Sequence, residues 1–284
     1  MENKKYKLTD KTIEVEGKTL YRIEALKDFC EIKKGDKGGF IASENNLAHE
    51  GDAWVSDDAC VYDNARVSGN ARVYGEALVY GSACVYGYAC VFDNACVYGN
   101  ARVSDNASVC SNARVYGDAW LYDNACVYVN GRVSDNARVC SNARVYGDAL
   151  VYDNARVSDN ASVSRYAQVH GNVWVYGYAR VSDNARVCGN ARVYGDALVR
   201  GDACVCGDAE ISTDADYIVF KNWWSSGRYF TWTRSNNMWS VGCFYGTGDE
   251  LVKKAYKDSS KSGRQYERIV KYVEETLKEE NGEQ

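Results

Sequence analysis

Two histidines, His49 and His170, are the only imidazoles in 284 residues. A general base that takes a proton from an acyl acceptor is most often a histidine, so these two positions bound where such chemistry could sit. His170, in Gln168-Val169-His170-Gly171-Asn172, is the catalytic candidate; His49 lies in an irregular stretch and reads as structural. Twelve cysteines raise two further chemistries, disulfide scaffolding and metal binding. Met1 to Asp10 is polar and lysine-rich, unlike a secretory signal, and most thiols occupy positions where serine, tyrosine or arginine also occur. The expectation is a cytoplasmic protein with mostly free thiols. Cys204 and Cys206 form a CxC, no CxxC pair exists, and no metal site is expected. The chain also has no phosphate-binding glycine loop and no Ser-His-Asp set at chemical spacing.

A repeat must position these candidates. Stepping by six from Val55 to position 211, 25 of 27 residues are valine, and Leu121 and Ile211 are the exceptions. Two residues earlier, from Ala53 to Ala209, 25 of 27 are alanine, and Gly131 and Val173 depart. The run has no insertion or deletion, and its unit is A-x-V-x-[G/D/S]-[N/D]. Alternation turns Ala and Val to one side and both x residues to the other. Valine fills a strand interior and alanine fits a tight corner. Gly or Asn in the next pair tolerates the left-handed conformation that the corner needs. Three units close a triangular coil, and about nine coils stack into a prism roughly 43 Å long at ~4.8 Å per coil. The sequence therefore predicts an all-β solenoid, a parallel β-helix of hexapeptide repeats. The absence of proline suits a chain made almost wholly of paired strand. A formal net charge of −5 makes no whole-chain case for nucleic acid or membrane, and no apolar stretch approaches the ~18 residues of a membrane span. No DNA-binding motif occurs.

Residues 18 apart share an outward column. One column holds Tyr62, Tyr80, Tyr98 and Tyr116, then Ser134, Tyr152 and His170. Beside it run Cys60, Leu78, Cys96, Arg114, Arg132, Leu150, Gln168 and Arg186. The next face carries Arg66, Cys84, Arg102, Trp120, Arg138, Arg156, Trp174 and Arg192. Between Lys37 and Lys221 the chain uses arginine and no lysine. A planar guanidinium stacks on itself and on aromatic rings, whereas an ammonium is a hydrated point charge. Three readings stand side by side: ladders that only stabilise stacked strands, a face that stacks bases and grips phosphates, or a surface packed against two further subunits. Binding candidates on these faces are Tyr62, Tyr80, Tyr98, Tyr116, Arg102, Arg138, Arg156, Trp120 and Trp174. The stretch between Thr19 and Thr213 holds no threonine, which excludes the outward ladders of an ice-binding solenoid.

An open solenoid needs caps over its strand edges. Residues 1–40 read as an N-terminal β cap, with a hairpin over Thr12 to Ile23 turning at Glu16-Gly17. The β-helix spans 41–215, and its first two hexads place polar Ser43 and His49 where valine belongs. Residues 216–284 read as a small α+β domain. It has three antiparallel strands (217–220, 228–234 and 238–245) and helices over 249–258 and 263–279. Trp223, Trp224, Trp232 and Trp239 gather there, with Arg228, as domain core or as a ligand cage.

The repeat unit resembles the hexapeptide repeat of left-handed β-helix proteins, which implies that handedness and, for their enzymes, a trimeric acyltransferase using acetyl-CoA. In such an enzyme His170 would be the base. Those enzymes tend to carry a loop between coils that helps form the acceptor pocket, and this chain has none. The run from Gly35 to Val61 (G-D-K-G-G-F-I-A-S-E-N-N-L-A-H-E-G-D-A-W-V-S-D-D-A-C-V) is similar to the start of the β-helix in enterobacterial YdcK-type proteins, whose transferase label rests on fold alone. The tail from Ser225 to Gly248 resembles a terminal domain in proteins of gut Firmicutes and their phages. Together with the repeats, the resemblance covers most of the chain; it implies fold and carries over no catalytic residue. The expectation is a non-enzymatic scaffold or binding protein without a cofactor, presenting Arg/Tyr faces and a Trp-rich domain to a macromolecule or an anionic or nucleotide ligand. The alternative is a homotrimeric acyltransferase.

Overall fold

In a computed structural model that describes residues 4–280 and 282, every hexad from 53 to 211 contributes one short strand, from Trp54–Val55 to Glu210–Ile211. Every third strand stacks in parallel, so Cys60 pairs with Leu78 and Val61 with Val79, and three sheets form the sides of a β-solenoid of about ten turns. Alanine and valine columns fill the interior at 1% exposure or less. Each valine contributes roughly 1.5–3 kcal/mol of burial free energy, repeated once per hexad. One face begins with Phe40 and Cys60, the second with Arg66 and the third with Trp54.

The corner chemistry differs from the expected Gly/Asn division of labour. Positive φ falls on the first corner residue, mostly glycine or aspartate, as in Asp63 at +59° and Gly69 at +68°, with serine at 111 and 141 and arginine at 165. Aspartate is tolerated because its carboxylate does a second job. Asp57 Oδ2 accepts the Gly75 N–H of the next coil at 3.0 Å, and Asp159 does the same for Gly177 at 3.0 Å. These N–H groups are otherwise left out of the strand ladder. The second corner residue builds a side-chain ladder: Asn154 donates to Asn172 at 3.2 Å, Asn172 to Asn190 at 3.0 Å, and Asn190 to Asp208 at 2.8 Å.

Backbone bonding between coils is directional. In a regular hexad three N–H groups donate forward: Cys60 to Ala77 O, Tyr62 to Val79 O and Asn64 to Gly81 O. The parallel register of Val61 with Val79 sends one N–H back, from Val79 to Cys60 O, so the first coil is left with three carbonyls for each N–H and the last with the reverse. Each cap supplies the opposite partner. At the N-terminal end the buried Lys5 ammonium donates to Gly51 O and Ala53 O, and Asn46 Nδ2 donates to Asp63 O and Ala65 O. A hairpin of Tyr6–Val15 and Lys18–Ala25 pairs antiparallel with Lys37–Ile41, which continues in parallel onto Cys60–Val61. At the C-terminal end the Leu198 N–H donates to Asp214, Ser212 N–H to Asp216, Cys204 N–H to Thr231 Oγ1, and Glu210 N–H to Ser235 Oγ.

Beyond the last coil lies a four-stranded antiparallel sheet in chain order: Tyr217–Lys221, Tyr229–Thr233, Met238–Val241 and Phe244–Gly246. Three strands were expected. Gly242, at φ +59°, breaks the anticipated third strand into a tight hairpin. Helices α1 (Gly248–Asp258) and α2 (Ser260–Glu280) pack Leu251, Tyr266, Val270 and Val273 against Phe230, Trp232 and Trp239. Thr247 caps α1, its hydroxyl accepting the Glu250 N–H.

One of these corners carries a β-branched residue. Val129 adopts φ +61° with its side chain exposed, beside Gly131, where a Cβ would meet Val145 O at 2.8 Å. A β-branched residue in this region is strained by about 1–2 kcal/mol. Val129→Asp restores the residue used at other corners and offers an acceptor to the next coil. It should raise unfolding free energy by about 1–2 kcal/mol in urea titration; no gain would mean that the corner is not strained.

Candidate binding surface on the solenoid

The second face carries a stripe of alternating charge and ring. Arg102, Trp120, Arg138, Arg156, Trp174 and Arg192 follow one another in register and span roughly 24 Å at ~4.8 Å per coil. The Arg138 guanidinium lies 5.9 Å from the Trp120 ring centre, and Arg156 lies 4.9 Å from that of Trp174. Arg192 pairs with Glu210 at 3.1 Å. Among the described residues, no ion pair engages Arg102, Arg138 or Arg156. The four guanidinium groups of the stripe are exposed, as is Trp174, while Trp120 is half-buried.

On the first face the tyrosine column forms a stack. Tyr62, Tyr80, Tyr98 and Tyr116 have ring centres 5.1, 4.9 and 5.0 Å apart and planes within 4° of parallel. Burial and the neighbouring Tyr98 phenol push the Tyr80 hydroxyl up to about 12. Tyr62 is not available to a ligand: the N-terminal hairpin covers it, packing Leu20 and Phe40 into the same cluster.

The stack breaks at Ser134 and resumes with Tyr152, then His170. A surface cavity of about 270 Å³ opens at the break. Tyr116 and Tyr152 are its walls, Ser134 its floor, and Arg132 and Leu150 its flank. Ser134 is buried, its hydroxyl donating to Asp135 Oδ2 at 3.0 Å. Two coils at ~4.8 Å set the two walls roughly 9.6 Å apart, room for one further ring at the spacing of the ladder itself. A second serine break, at Ser104 between Tyr86 and Tyr122, is plugged: Trp120 Nε1 donates to Ser104 Oγ at 3.4 Å and its indole sits 4.9 Å from the Tyr122 ring. At the Ser134 break the corresponding residue is Leu150, which has no indole to fill the gap, while Arg132, two residues before Ser134, brings charge to its edge.

The C-terminal tryptophans divide. Trp232 and Trp239 are 2% exposed and Trp224 is buried with them, so these three are domain core and present no cage. Trp223 is 75% exposed, and exposed Arg228 borders a hollow of about 220 Å³ with Tyr266 and Cys243. A larger hollow, about 950 Å³, lies at the N-terminal end between Lys5, Phe29, Glu44, His49 and Asp52. Several of its groups belong to the cap: Lys4 pairs with Glu44 at 2.8 Å, Lys5 serves the first-coil carbonyls, and the His49 ring stacks on Tyr6 at 4.4 Å.

The cysteines depart from the expected pattern at one point. Ten thiols are free, but Cys188 and Cys206 form a disulfide, and the sulfurs of Cys188, Cys204 and Cys206 all lie within 4.8 Å of one another. Cys188 and Cys206 are the next two members of the column that contains His170, so the same step of 18 leads to them. Among the described residues no helix is long and apolar enough to cross a membrane.

Seven segments, in four separate stretches, match the YdcK β-solenoid repeat: residues 59–73, 71–87, 95–111, 143–156, 149–165, 155–171 and 185–201. No curated protein matches the chain.

These matches carry a fold and no chemistry, so His170 rests on its own geometry. Its ring stacks on Tyr152 at 4.8 Å, and Nδ1 stands 3.7 Å from Asp153 Oδ2, beyond hydrogen-bond reach. That carboxylate oxygen already accepts the Gly171 N–H at 3.1 Å. Burial lowers the His170 pKa below its ordinary value; Asp153 opposes this and Arg186 adds to it. With the folded-state value depressed, the unfolded chain takes up a proton first, so this residue's contribution to stability is lost as pH falls below the ordinary histidine value. An NMR titration should place the His170 midpoint below that of an unstructured histidine peptide; a midpoint at or above it contradicts the geometry.

Proposed function

Taking the chain as a YdcK-type β-solenoid repeat protein, we propose that it is a non-enzymatic binding scaffold whose ligand is a planar aromatic group carrying an anion, a nucleotide in particular. The observation that carries this reading is the single missing rung at Ser134. Tyr116 and Tyr152, two coils apart in one column, line the cavity where the ring between them is missing, and the adjacent outward side chain is the exposed Arg132. A ring entering there completes a stack that the protein already builds elsewhere, and its phosphate or carboxylate reaches the guanidinium. The Arg/Trp stripe on the next face repeats the same pairing of flat rings and unpaired guanidinium groups, which suits an extended ligand or several copies of a small one.

Stacking supplies about 1–3 kcal/mol per base, and a charged hydrogen bond about 1.5–3 kcal/mol. Their sum corresponds to dissociation constants from roughly ten millimolar down to tens of micromolar. Isothermal titration against a panel of nucleoside monophosphates should therefore show weak, saturable heat. Ser134→Tyr, which places the column's own residue in the gap, should abolish it while leaving the fold intact. Arg132→Gln should weaken it about tenfold or more. Absence of heat from every nucleotide, or binding that survives Ser134→Tyr, overturns the assignment of the ligand to this slot.

A further inference from the structure

The last coil of the solenoid holds a cluster of sulfur that the binding surface does not use. Cys188 and Cys206 occupy successive rungs of one column, with Cα atoms 4.6 Å apart and their sulfurs joined. Cys204 precedes Cys206 by two residues, and the Cys204 sulfur lies 3.5 Å from that of Cys206. Both belong to the coil against which the C-terminal sheet docks. The Cys204 N–H donates to Thr231 Oγ1 at 2.8 Å, and Asn236 Nδ2 donates to Cys206 O at 3.5 Å. A Cβ on Gly207, the next residue, would strike the Tyr245 hydroxyl. The cluster therefore lies on the seam between solenoid and terminal domain, where strand register and docking both fix its backbone.

We propose that this cluster is a redox-gated site for a soft cation, Zn²⁺ in the first instance, formed by the thiolates of Cys188, Cys204 and Cys206 once the disulfide is reduced. The geometry argues for it in two ways. At a Zn–S distance of ~2.3 Å, sulfurs around a tetrahedral ion stand about 3.8 Å apart. The Cys204–Cys206 separation is already near that value, and the third sulfur lies within 4.8 Å of both. Cys188 and Cys206 need only lose their bond and turn apart, because the parallel register holds their backbones one coil apart whether or not the sulfurs are joined. Charge is also provided for. Arg186 pairs directly with Cys204 in the ladder, so a guanidinium borders the single negative charge left by three thiolates and one divalent ion.

The step balances with a dithiol reductant. The Cys188–Cys206 bond breaks, each sulfur gains one hydrogen, and the reductant closes to its own disulfide. Binding of Zn²⁺ then displaces one proton from each of the three thiols. Oxidation of the two column cysteines by a disulfide oxidant removes two of the three donors and releases the ion. Three sulfurs leave the fourth tetrahedral position to water or to a donor from another molecule.

Co²⁺ serves as the probe, because its visible spectrum reports tetrahedral thiolate ligation. The full-length chain, reduced with a dithiol and freed of it under anaerobic conditions, should bind one equivalent of Co²⁺ with intense sulfur-to-metal bands, and Zn²⁺ should displace it. The untreated, disulfide-bonded chain should give no such spectrum. Cys204→Ser and Cys188→Ser should each abolish or markedly shift the bands, while Cys84→Ser, on a distant coil, should leave them unchanged. Circular dichroism of the reduced, metal-free chain should retain the β-sheet signal. A reduced chain that unfolds, a folded one that takes up no Co²⁺, or a spectrum unaffected by Cys204→Ser each overturns the proposal.

Discussion

Hydrogen bonds that run from one coil to the next are the constraint on which everything else in this molecule depends. They hold successive strands at one fixed spacing and one fixed register, because each hexad passes N–H groups forward to the alanine, valine and corner carbonyls of the following coil. The interior is then a narrow triangular column that alanine and valine fill. The corners arise from the same demand for satisfied backbone groups. Aspartate at the left-handed position takes up the N–H that the strand ladder omits, and asparagine at the second position extends a ladder of its own. A side chain that cannot meet this accounting shows as local strain, as at Val129.

Fixed spacing also turns the outside into a set of columns in which chemistry is written by position. A tyrosine repeated every 18 residues becomes a parallel stack because the backbone leaves its rings little choice. Stacked aromatics, cation–π pairs and the sulfur bridge are all contacts between successive members of one column or of adjacent ones. A single substitution changes one rung and leaves its neighbours in place. At Ser134 the deletion of one ring from a ladder leaves a cavity lined by the tyrosines on either side. Trp120 at the other serine break shows that the molecule can also close such a gap from the side.

Much of this was legible in the sequence. The six-residue period gives the strands, the inward columns and the corners, and the step of 18 gives every outward neighbour. The N-terminal hairpin was legible too, from its alternation about Glu16-Gly17. What escaped depends on groups that only closure of the fold brings together. The burial of Tyr62 needs the hairpin to fold back over the first coil. The core role of Trp224, Trp232 and Trp239 needs α2 to lie across the sheet. The division of corner roles between aspartate and asparagine is set by which N–H lacks a partner, and composition alone does not reveal that. The sulfur cluster was within reach: the column ending at His170 continues to Cys188 and Cys206. A CxxC motif would pair thiols close along the chain, whereas Cys188 and Cys206 meet because they stand one coil apart.

The opposed polarity of the two caps has a consequence for assembly. A bare first coil presents mostly carbonyls, a bare last coil mostly N–H groups, and the two surfaces have the same triangular outline and the same strand spacing. They are complementary halves of the joint that already links every pair of coils inside the chain. Without Lys5 and Asn46 at one end and the Asp214–Asp216 turn at the other, one copy could seat on the next by the same joint, and because that contact never closes on itself it would grow as a fibre. The caps are therefore terminators of a one-dimensional polymer, and the finite length of the protein is a property of its ends.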